Sequence, residues 1–266
     1  MPSSSVFNVY PVPAFQDNYL WVIHKDGFAA VVDPGDATPV LNYLKANDLE
    51  LVAIICTHHH ADHVGGVEQL LEVLHLRGKI PVYGPATERI PARTQALREG
   101  DRIEVPLLNL TLDILDVPGH TAGHIAYFGH GLLFCGDTLF ACGCGRLFEG
   151  TAEQMTASLT KLKCLPPQTK VFCAHEYTMA NIRFAETVEP DNADLKLRKA
   201  FCAAKRHRNL PTVPSTIHLE LATNPFLRWD QPAVQAAAAT RLHRDIGANP
   251  APALVFGAIR EWKNNF

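Results

Sequence analysis

The sequence lacks the features that would direct the chain to a membrane, a secretory route or a nucleic acid. Its 266 residues contain no run of about 18 apolar residues, so no transmembrane helix is expected. The first residues, Met1-Pro2-Ser3-Ser4-Ser5, show no basic segment followed by an apolar core, and no secretory signal is expected. A net charge of −3 gives no global attraction to nucleic acid. We therefore expect a cytoplasmic monomer that binds neither membranes nor nucleic acids.

Cysteine is present but lacks the pattern of a disulfide framework. Seven cysteines are scattered along the chain, an odd number with no CxxC pair. This usage favours a reducing compartment. The segment Cys142-Gly143-Cys144 is weak evidence for thiolate ligands, and its glycines predict a loop that approaches a functional site closely.

A short basic stretch near residue 200 is the one strong local charge bias. We interpret it as a solvated helix face, because a nucleic-acid enzyme would carry a more extended basic surface. Its members are Lys196, Arg198, Lys199, Lys205, Arg206 and Arg208. No internal repeat or low-complexity tract occurs.

The segment Thr57-His58-His59-His60-Ala61-Asp62-His63 is unusually rich in metal-ligating side chains. A catalytic zinc takes three protein ligands and keeps one position for water, and this segment alone exceeds that number. Further candidates follow downstream at His120, Asp137 and His175. The sequence therefore predicts two adjacent metal ions.

Each candidate follows an apolar run that is typical of a buried strand. These runs are Leu51–Cys56, Leu110–Val117, Leu132–Cys135 and Val171–Cys173. We expect the four strand ends to place the ligands along one rim of a sheet, because rigid scaffolds carry functional loops in this way.

Local geometry divides the first cluster between the two ions. His58 and His60 point the same way in an extended segment and can bind one ion as a pair. A helix is predicted from Asp62 to Leu74, so Asp62 and His63 would face a second ion from its first turn. A carboxylate has two oxygens, which makes Asp137 the best bridging candidate.

The remaining histidines are assigned ordinary roles. His59 alternates out of the ligand frame and is interpreted as a neighbour, and His124 as a supporting or core residue. Structural or exposed positions are expected for His24, His75, His130, His207, His218 and His243.

The predicted secondary structure changes from mixed strands and helices to mainly helices at about Tyr177. Earlier residues alternate strand-like runs, such as Phe7–Val12, with helix candidates at Pro39–Asn47 and Thr151–Leu165, the latter capped by Thr151. Later residues are mainly helical. We predict an α/β (α+β) fold with a catalytic domain at 1–174 and a smaller helical, substrate-binding domain at 175–266.

These motifs resemble the metal signature of the metallo-β-lactamase superfamily. The match is closest to the hydroxyacylglutathione hydrolases (glyoxalase II), and it extends over nearly the whole chain. It is carried by Thr57–His63, Gly119-His120, Gly136–Phe140, Gly143–Arg146, Phe148–Thr151, Ala174–Thr178, Val188–Pro190, Pro211–Ser215 and Asn224–Arg228. The resemblance implies an αββα sandwich followed by the helical domain.

The resemblance also implies roles for particular residues. His58, His60 and His120 would hold one divalent ion, and Asp62, His63 and His175 the other. Asp137 would bridge them. Zinc is the expected metal, with iron or manganese as alternatives. Arg146, Tyr177, Arg260 and Lys263 would bind the glutathione part; Arg146 stands where many relatives have Lys, and Phe148 where some have Tyr.

The implied reaction is hydrolysis of S-D-lactoylglutathione to D-lactate and glutathione, in methylglyoxal detoxification. A metal-bridging hydroxide, oriented by Asp62 and Asp137, would attack the thioester. Two alternatives remain open: a phosphodiesterase, nuclease or other ester hydrolase on the same metal core, and a non-catalytic, metal-stabilised scaffold. A cysteine at the position of Asp137 would be expected in a β-lactamase, and its absence argues against that activity.

Overall fold

The computed structural model describes residues 7–266. Residues 1–6, which include the Met1–Ser5 segment considered for a secretory signal, lie outside the described residues. The chain forms two compact units. One contains the residues up to Asp116 together with Gly123–Gly136, and the other contains Val117–Ala122 together with Asp137–Phe266. The predicted boundary between residues 174 and 175 stays a prediction.

The first unit contains two sets of strands and three short helices. In chain order its elements are β1 (Asn8–Ala14), β2 (Asn18–Lys25), β3 (Phe28–Val32), α1 (Ala37–Ala46), β4 (Glu50–Ile55), α2 (Ala61–Val64), α3 (Val67–Val73), β5 (Val82–Pro85), β6 (Gln95–Leu97), β7 (Arg102–Val105), a 3-10 turn (Pro106–Leu108), β8 (Leu110–Asp116), β9 (Ile125–Gly129) and β10 (Leu132–Gly136).

The second unit is mainly helical. Its elements are β11 (Leu139–Phe140), β12 (Gly143–Cys144), α4 (Ala152–Lys163), β13 (Lys170–Cys173), α5 (Thr178–Val188), α6 (Ala193–His207), β14 (Ser215–Thr216), α7 (Ile217–Thr223), α8 (Pro232–Leu242) and α9 (Pro252–Asn264). Strands β11 and β12 form a hairpin, and β13 pairs antiparallel with β14.

Strand direction determines where the functional loops emerge in the first unit. The first sheet has the order β1 to β6; β1, β2 and β3 are antiparallel neighbours, and β3 to β6 run parallel. Strands β7 to β10 are successive antiparallel neighbours in the second sheet. Because β8 and β10 both run opposite to β9, they end at the same edge, and the segments carrying His120 and Asp137 follow these two ends.

The expectation of one sheet rim is wrong, because the ligand-bearing strands belong to more than one sheet. Strand β4 lies in the first sheet, whereas β8 and β10 lie in the second. The prediction that each ligand follows a buried strand is confirmed, because β4, β8, β10 and β13 precede the four ligand segments. Apolar residues of the first sheet pack with those of α1 and α3 into one core, including Val31, Val40, Ile54 and Leu70.

The predicted helix from Asp62 to Leu74 is also wrong, because it is broken at Gly65-Gly66 into α2 and α3. The β3–α1 loop packs against these glycines. A Cβ on Gly66 would lie 2.5 Å from the backbone nitrogen of Ala37 and 2.7 Å from the carbonyl oxygen of Pro34. The break lets α2 present Asp62 and His63 independently of the direction of α3.

The remaining helix predictions are confirmed with small shifts. Helix α4 begins after Thr151, whose side chain accepts from the backbone N–H of Gln154 in a reciprocal capping box. Helix α1 overlaps the predicted segment Pro39–Asn47, and α5, α6 and α8 agree with the prediction that the residues after about Tyr177 are mainly helical. The short helix α7 was not predicted from the sequence, and it is too brief to show a helical period.

Gly66→Ala is expected to lower the free energy of unfolding by about 1–3 kcal/mol, because the added methyl overlaps fixed backbone. The matched control is Gly257→Ala in α9, where an added Cβ meets only the Cβ of Ala152 at 3.5 Å. That change should stabilise the protein by up to about 1 kcal/mol, as expected for alanine replacing glycine in a helix. Urea unfolding of both variants measures the difference. Equal effects of the two substitutions would contradict the packing argument.

Candidate metal centre and adjoining cavity

A buried carboxylate that the sequence reasoning missed, Asp33, organises the first ligand segment. Asp33 follows β3 and Thr57 follows β4, and because these strands are parallel neighbours the two residues meet at one edge. Asp33 Oδ1 accepts from the backbone N–H of Thr57 at 2.7 Å, and Oδ2 accepts from Thr57 Oγ1 at 2.7 Å. Its Oδ2 also lies 3.1 Å from Nδ1 of His63. A signal was available, since Asp33 directly follows the buried run Ala29–Val32, just as the predicted ligands follow theirs.

These contacts determine which ring nitrogen of each histidine carries hydrogen. Thr57 gives its hydroxyl hydrogen to Asp33, so its Oγ1 accepts from Nδ1 of His58 at 3.0 Å. Nδ1 of His63 donates to the Asp33 carboxylate. Both rings therefore keep the lone pair on Nε2. An imidazole that donates its other N–H to a carboxylate or hydroxyl is typical of a metal ligand.

The four candidate ligands of the first segment lie in two close pairs. Nε2 of His58 lies 3.1 Å from Nδ1 of His60. Nε2 of His63 lies 3.5 Å from Oδ2 of Asp62, which also accepts from Nδ2 of Asn18 at 3.0 Å. Both Asp62 and His63 lie in the single turn of α2.

Two further histidines, His59 and His124, lie next to this segment's candidate ligands. The His124 ring is buried and stacks on that of His58 with a centroid distance of 4.5 Å. Nδ1 of His59 lies 2.9 Å from Oε2 of Glu88, whose Oε1 accepts from the backbone N–H of Gly123. His59 is thus engaged by Glu88, and His124 fixes the plane of the His58 ring.

In the second unit, Asp137 lies between two histidines. Its Oδ2 is 3.4 Å from Nε2 of His120, and its Oδ1 is 3.4 Å from Nε2 of His175. Nδ1 of His120 donates to the carbonyl oxygen of Arg146 at 2.9 Å, so its Nε2 also keeps the lone pair. All three side chains are more than nine-tenths buried.

The donor spacings within each unit fit divalent metal ions. Four ligands at 2.0–2.1 Å from a tetrahedral zinc ion are separated by about 3.4 Å along the edges of the tetrahedron. The donor–donor distances above fall between 3.1 and 3.5 Å. Imidazole and carboxylate are donors that zinc, iron and manganese share.

The cysteines near the cavity, Cys142 and Cys144, are buried free thiols. Burial raises the pKa of the Cys142 thiol to about 12, and burial also raises that of Cys144. Both thiols therefore stay protonated at neutral pH. The glycine between them does allow a close approach: a Cβ on Gly143 would lie 2.4 Å from Nδ2 of Asn181.

A cavity of about 490 Å³ in the second unit adjoins His120 and Asp137. The four predicted substrate-binding residues, Arg146, Tyr177, Arg260 and Lys263, all line it. Its aromatic wall contains Phe140, Phe148 and Tyr177. The Tyr177 ring stacks on His175 with an interplanar angle of 4°, and the 63% exposed Phe148 meets the His120 ring edge-on.

One end of the cavity is cationic. Arg260 is buried, and its guanidinium lies over the Phe226 ring. Its Nη1 donates to the carbonyl oxygen of Cys144 at 2.9 Å, and its Nε donates to Oδ1 of Asn264. The pKa of the Lys263 amine is lowered to about 8, first by burial and then by the positive charges of Arg260, Arg183 and Arg146. Such a cluster favours an anionic ligand, because added negative charge relieves the repulsion.

Comparison with family models accounts for almost the whole chain. The metallo-beta-lactamase superfamily model matches residues 14–175, and the model for the hydroxyacylglutathione hydrolase C-terminus matches residues 176–266. All seven predicted metal ligands fall in the first match. Tyr177, Arg260 and Lys263 fall in the second.

Curated relatives match at full length. The chain is 54% identical to the hydroxyacylglutathione hydrolase of Nitrosomonas eutropha, over 98% of this chain and 100% of that protein. It is 55% identical to the hydroxyacylglutathione hydrolase of Nitrosomonas europaea, over 98% and 97% respectively.

Among solved structures, the di-iron-bound form of TTHA1623 is 27% identical with a TM-score of 0.58, covering 82% of this chain and 100% of that one. ETHE1 from Myxococcus xanthus, at 24% identity and a TM-score of 0.63, covers 97% of this chain and 98% of that one and shows the shared fold. The α/β architecture is therefore the metallo-β-lactamase sandwich with a C-terminal helical region. No helix among residues 7–266 is long and apolar enough to cross a membrane.

Asp33→Asn is expected to weaken metal retention about 10- to 100-fold, as for other residues that orient metal-binding imidazoles. Three hydrogen-bond donors converge on the two oxygens of Asp33. Asparagine keeps only one of these oxygens, and its NH₂ group would repel the donors that the other oxygen accepts from. Asp36→Asn is the matched control, because Asp36 caps α1 in the same loop and asparagine caps a helix equally well. Chelator competition followed by elemental analysis measures retention. Unchanged retention in Asp33→Asn would contradict the assigned role.

Proposed function

Because the chain belongs to the hydroxyacylglutathione hydrolase family of the metallo-β-lactamase superfamily, we propose that it hydrolyses 2-hydroxyacylglutathione thioesters, with S-D-lactoylglutathione as substrate and D-lactate and glutathione as products. Water adds to the thioester carbonyl, the C–S bond breaks, and the thiolate leaves with the glutathione moiety. This is the hydrolytic step of methylglyoxal detoxification.

One observation carries the proposal beyond the family match. The cavity presents Arg146, Tyr177, Arg260 and Lys263 together with His120 and Asp137. A glutathione thioester needs both parts, since its two carboxylates require cations and its carbonyl must reach the reacting centre. A guanidinium and an ammonium within one cavity satisfy the first requirement.

The superfamily and the His/Asp cluster indicate a binuclear metal site. We propose His58, His60 and His120 as ligands of one ion, Asp62, His63 and His175 as ligands of the other, and Asp137 as a ligand of both. Zinc is the proposed metal, with iron or manganese as alternatives. Support comes from the donor spacings within each unit and from the superfamily match, which contains all seven residues.

The ions, when bound, supply Lewis acidity that lowers the pKa of water and polarises a carbonyl. The protein's own residues do the rest. Asp62 and Asp137 provide acceptor oxygens that orient the attacking water. Asn18 holds the Asp62 carboxylate through Oδ2. A thiolate is a modest base, so its departure needs no dedicated general acid, and none was predicted.

At the glutathione end, Arg260 and Lys263 lie on α9 three residues apart. Arg260 uses Nε for Asn264 and Nη1 for the carbonyl oxygen and sulfur of Cys144, so its Nη2 group remains to hold a carboxylate. Phe148 offers a ring without a hydroxyl, so any contact there is apolar. The Tyr177 hydroxyl provides a polar contact beside His175.

Three further properties are part of the proposal. All seven cysteines are free thiols, which supports a reducing compartment, and we propose the cytoplasm. We also propose that the protein acts as a monomer on a small molecule, without a nucleic-acid or membrane partner.

Purified protein should hydrolyse S-D-lactoylglutathione, with loss of thioester absorbance that stops on metal removal.

Lys263→Ala should raise KM about 10-fold or more and change kcat little, because a charge-assisted hydrogen bond made in ground and transition states is lost. Lys205→Ala with Arg208→Ala is a matched control that removes two cations from the end of α6. The nuclease alternative would be favoured if the wild-type protein failed to hydrolyse this thioester but cleaved a phosphodiester, and if the α6 substitutions slowed that cleavage.

KM should also depend on pH through Lys263. The amine is charged below its pKa of about 8 and binds a carboxylate in that form, so KM should rise as pH increases above about 8, by up to about 10-fold per pH unit. Lys263→Arg should remove the rise attributable to this residue, because a guanidinium stays charged. Initial rates between pH 6.5 and 9.5 measure the profile. Identical profiles for the wild type and Lys263→Arg would assign the titration to another group.

A further inference from the structure

The hairpin between Asp137 and Arg146 forms one wall of the cavity and is buried throughout. Strands β11 and β12 pair Leu139 with Cys144 and Phe140 with Gly143, and all six residues from 139 to 144 are buried. Phe140 and Cys144 face the cavity. A buried two-stranded hairpin has backbone groups that need partners besides those it provides itself.

Side chains from three helices supply those partners. Nδ2 of Asn224 donates to the carbonyl oxygens of Phe140 at 3.1 Å and Gly143 at 2.9 Å. Oε2 of Glu220 accepts from the backbone N–H of Cys142 at 2.8 Å. The other two contacts are Nδ2 of Asn181 to the Ala141 carbonyl at 3.0 Å and Nη1 of Arg260 to the Cys144 carbonyl at 2.9 Å.

Glu220 and Asn224 also hold each other. Nδ2 of Asn224 lies 3.0 Å from Oε2 of Glu220, and both side chains are completely buried. Oε1 of Glu220 accepts from Nη2 of Arg198 at 2.6 Å and from the Ser215 hydroxyl. Glu220 and Asn224 are therefore fixed in place when they bind the hairpin, and Arg198 compensates the charge of Glu220.

This arrangement connects two residues that touch no substrate to the shape of the cavity. The hairpin determines where the Phe140 ring lies, edge-on to His175 and Tyr177. Its end at Cys144 provides the carbonyl that fixes Arg260, one of the two cations expected to hold glutathione. Displacement of the hairpin would move the aromatic wall and release this arginine.

We propose that Asn224 and Glu220 are positioning residues for the glutathione part of the substrate, acting through the 139–144 hairpin and Arg260. The inference rests on the proposed function and deepens it. It predicts a selective effect: loss of the pair should impair recognition of glutathione more than the hydrolytic chemistry, because the hairpin forms the wall on the glutathione side.

The experiment compares two thioesters of the same acyl group in the metal-loaded enzyme. S-D-lactoylglutathione carries both carboxylates, and S-lactoyl-N-acetylcysteamine carries neither. Asn224→Ala should raise KM for the first about 5- to 10-fold, as for loss of one or two buried hydrogen bonds, and leave its kcat within about 2-fold. The kcat/KM value for the truncated thioester should stay within about 2-fold of wild type, as expected for a change confined to glutathione binding.

Asn192→Ala is the matched control. Asn192 caps α6 and donates to the Ala222 carbonyl at 3.0 Å, so this variant loses comparable hydrogen bonds without touching the hairpin. It should lower the unfolding midpoint without separating the two substrates. Asn224→Ser, which keeps one donor, is a second variant that should show a smaller KM increase.

Equal losses of kcat/KM on both substrates in Asn224→Ala would overturn the inference, and so would an unchanged KM. Failure of both Asn224 variants to fold would also overturn it, because the pair would then serve the fold alone. These outcomes are distinct from failure of the proposed function, in which the wild-type enzyme itself would not hydrolyse S-D-lactoylglutathione.

Discussion

The ligand loop of this protein depends on one buried carboxylate at the junction of two parallel strands. Asp33 is 3% exposed, and removing such a group from water costs several kcal/mol unless donors replace its hydration. Here the donors are the N–H and hydroxyl of Thr57 and the imidazole of His63. The carboxylate is therefore stable only while the loop holds its conformation, and the loop orients its histidines through that carboxylate.

The same principle operates in the helical unit with different groups. A buried hairpin exposes backbone polar atoms that no neighbouring strand satisfies, and asparagine, glutamate and arginine side chains satisfy them. Asparagine suits this role because its amide donates two hydrogen bonds without introducing a charge. The glutamate introduces a charge, and Arg198 compensates for it. In both units, satisfying buried polar atoms determines the geometry of the surface that faces the ligand.

The sequence reasoning succeeded where the information was local. His58, His60, Asp62 and His63 fall within six positions, and the predicted extended backbone at His60 and the helical turn that carries Asp62 and His63 are both present. It failed where contacts join distant positions. Asp33 acts on a residue 24 positions away, and Asn224 and Glu220 act on backbone atoms 84 and 78 positions away. A single sequence gives no register for such contacts. The Asp62–Leu74 helix failed for a similar reason, since the loop packed against Gly65-Gly66 is invisible in the local pattern.

Specificity and catalysis draw on separate features of the chain, and the charge distribution explains why. Net charge is −3, so no general field collects anionic substrates. Attraction must come from the few cations that line the cavity. Burial and, after it, the neighbouring positive charges lower the pKa of Lys263, so these cations repel one another unless an anionic ligand lies between them. A ligand that carries two carboxylates relieves that repulsion, whereas a neutral ester gains nothing from it. In the proposed function, cation crowding within a small cavity would select for glutathione thioesters over simple esters, while the histidine and aspartate cluster, common to the superfamily, would leave the choice of substrate to the helical region.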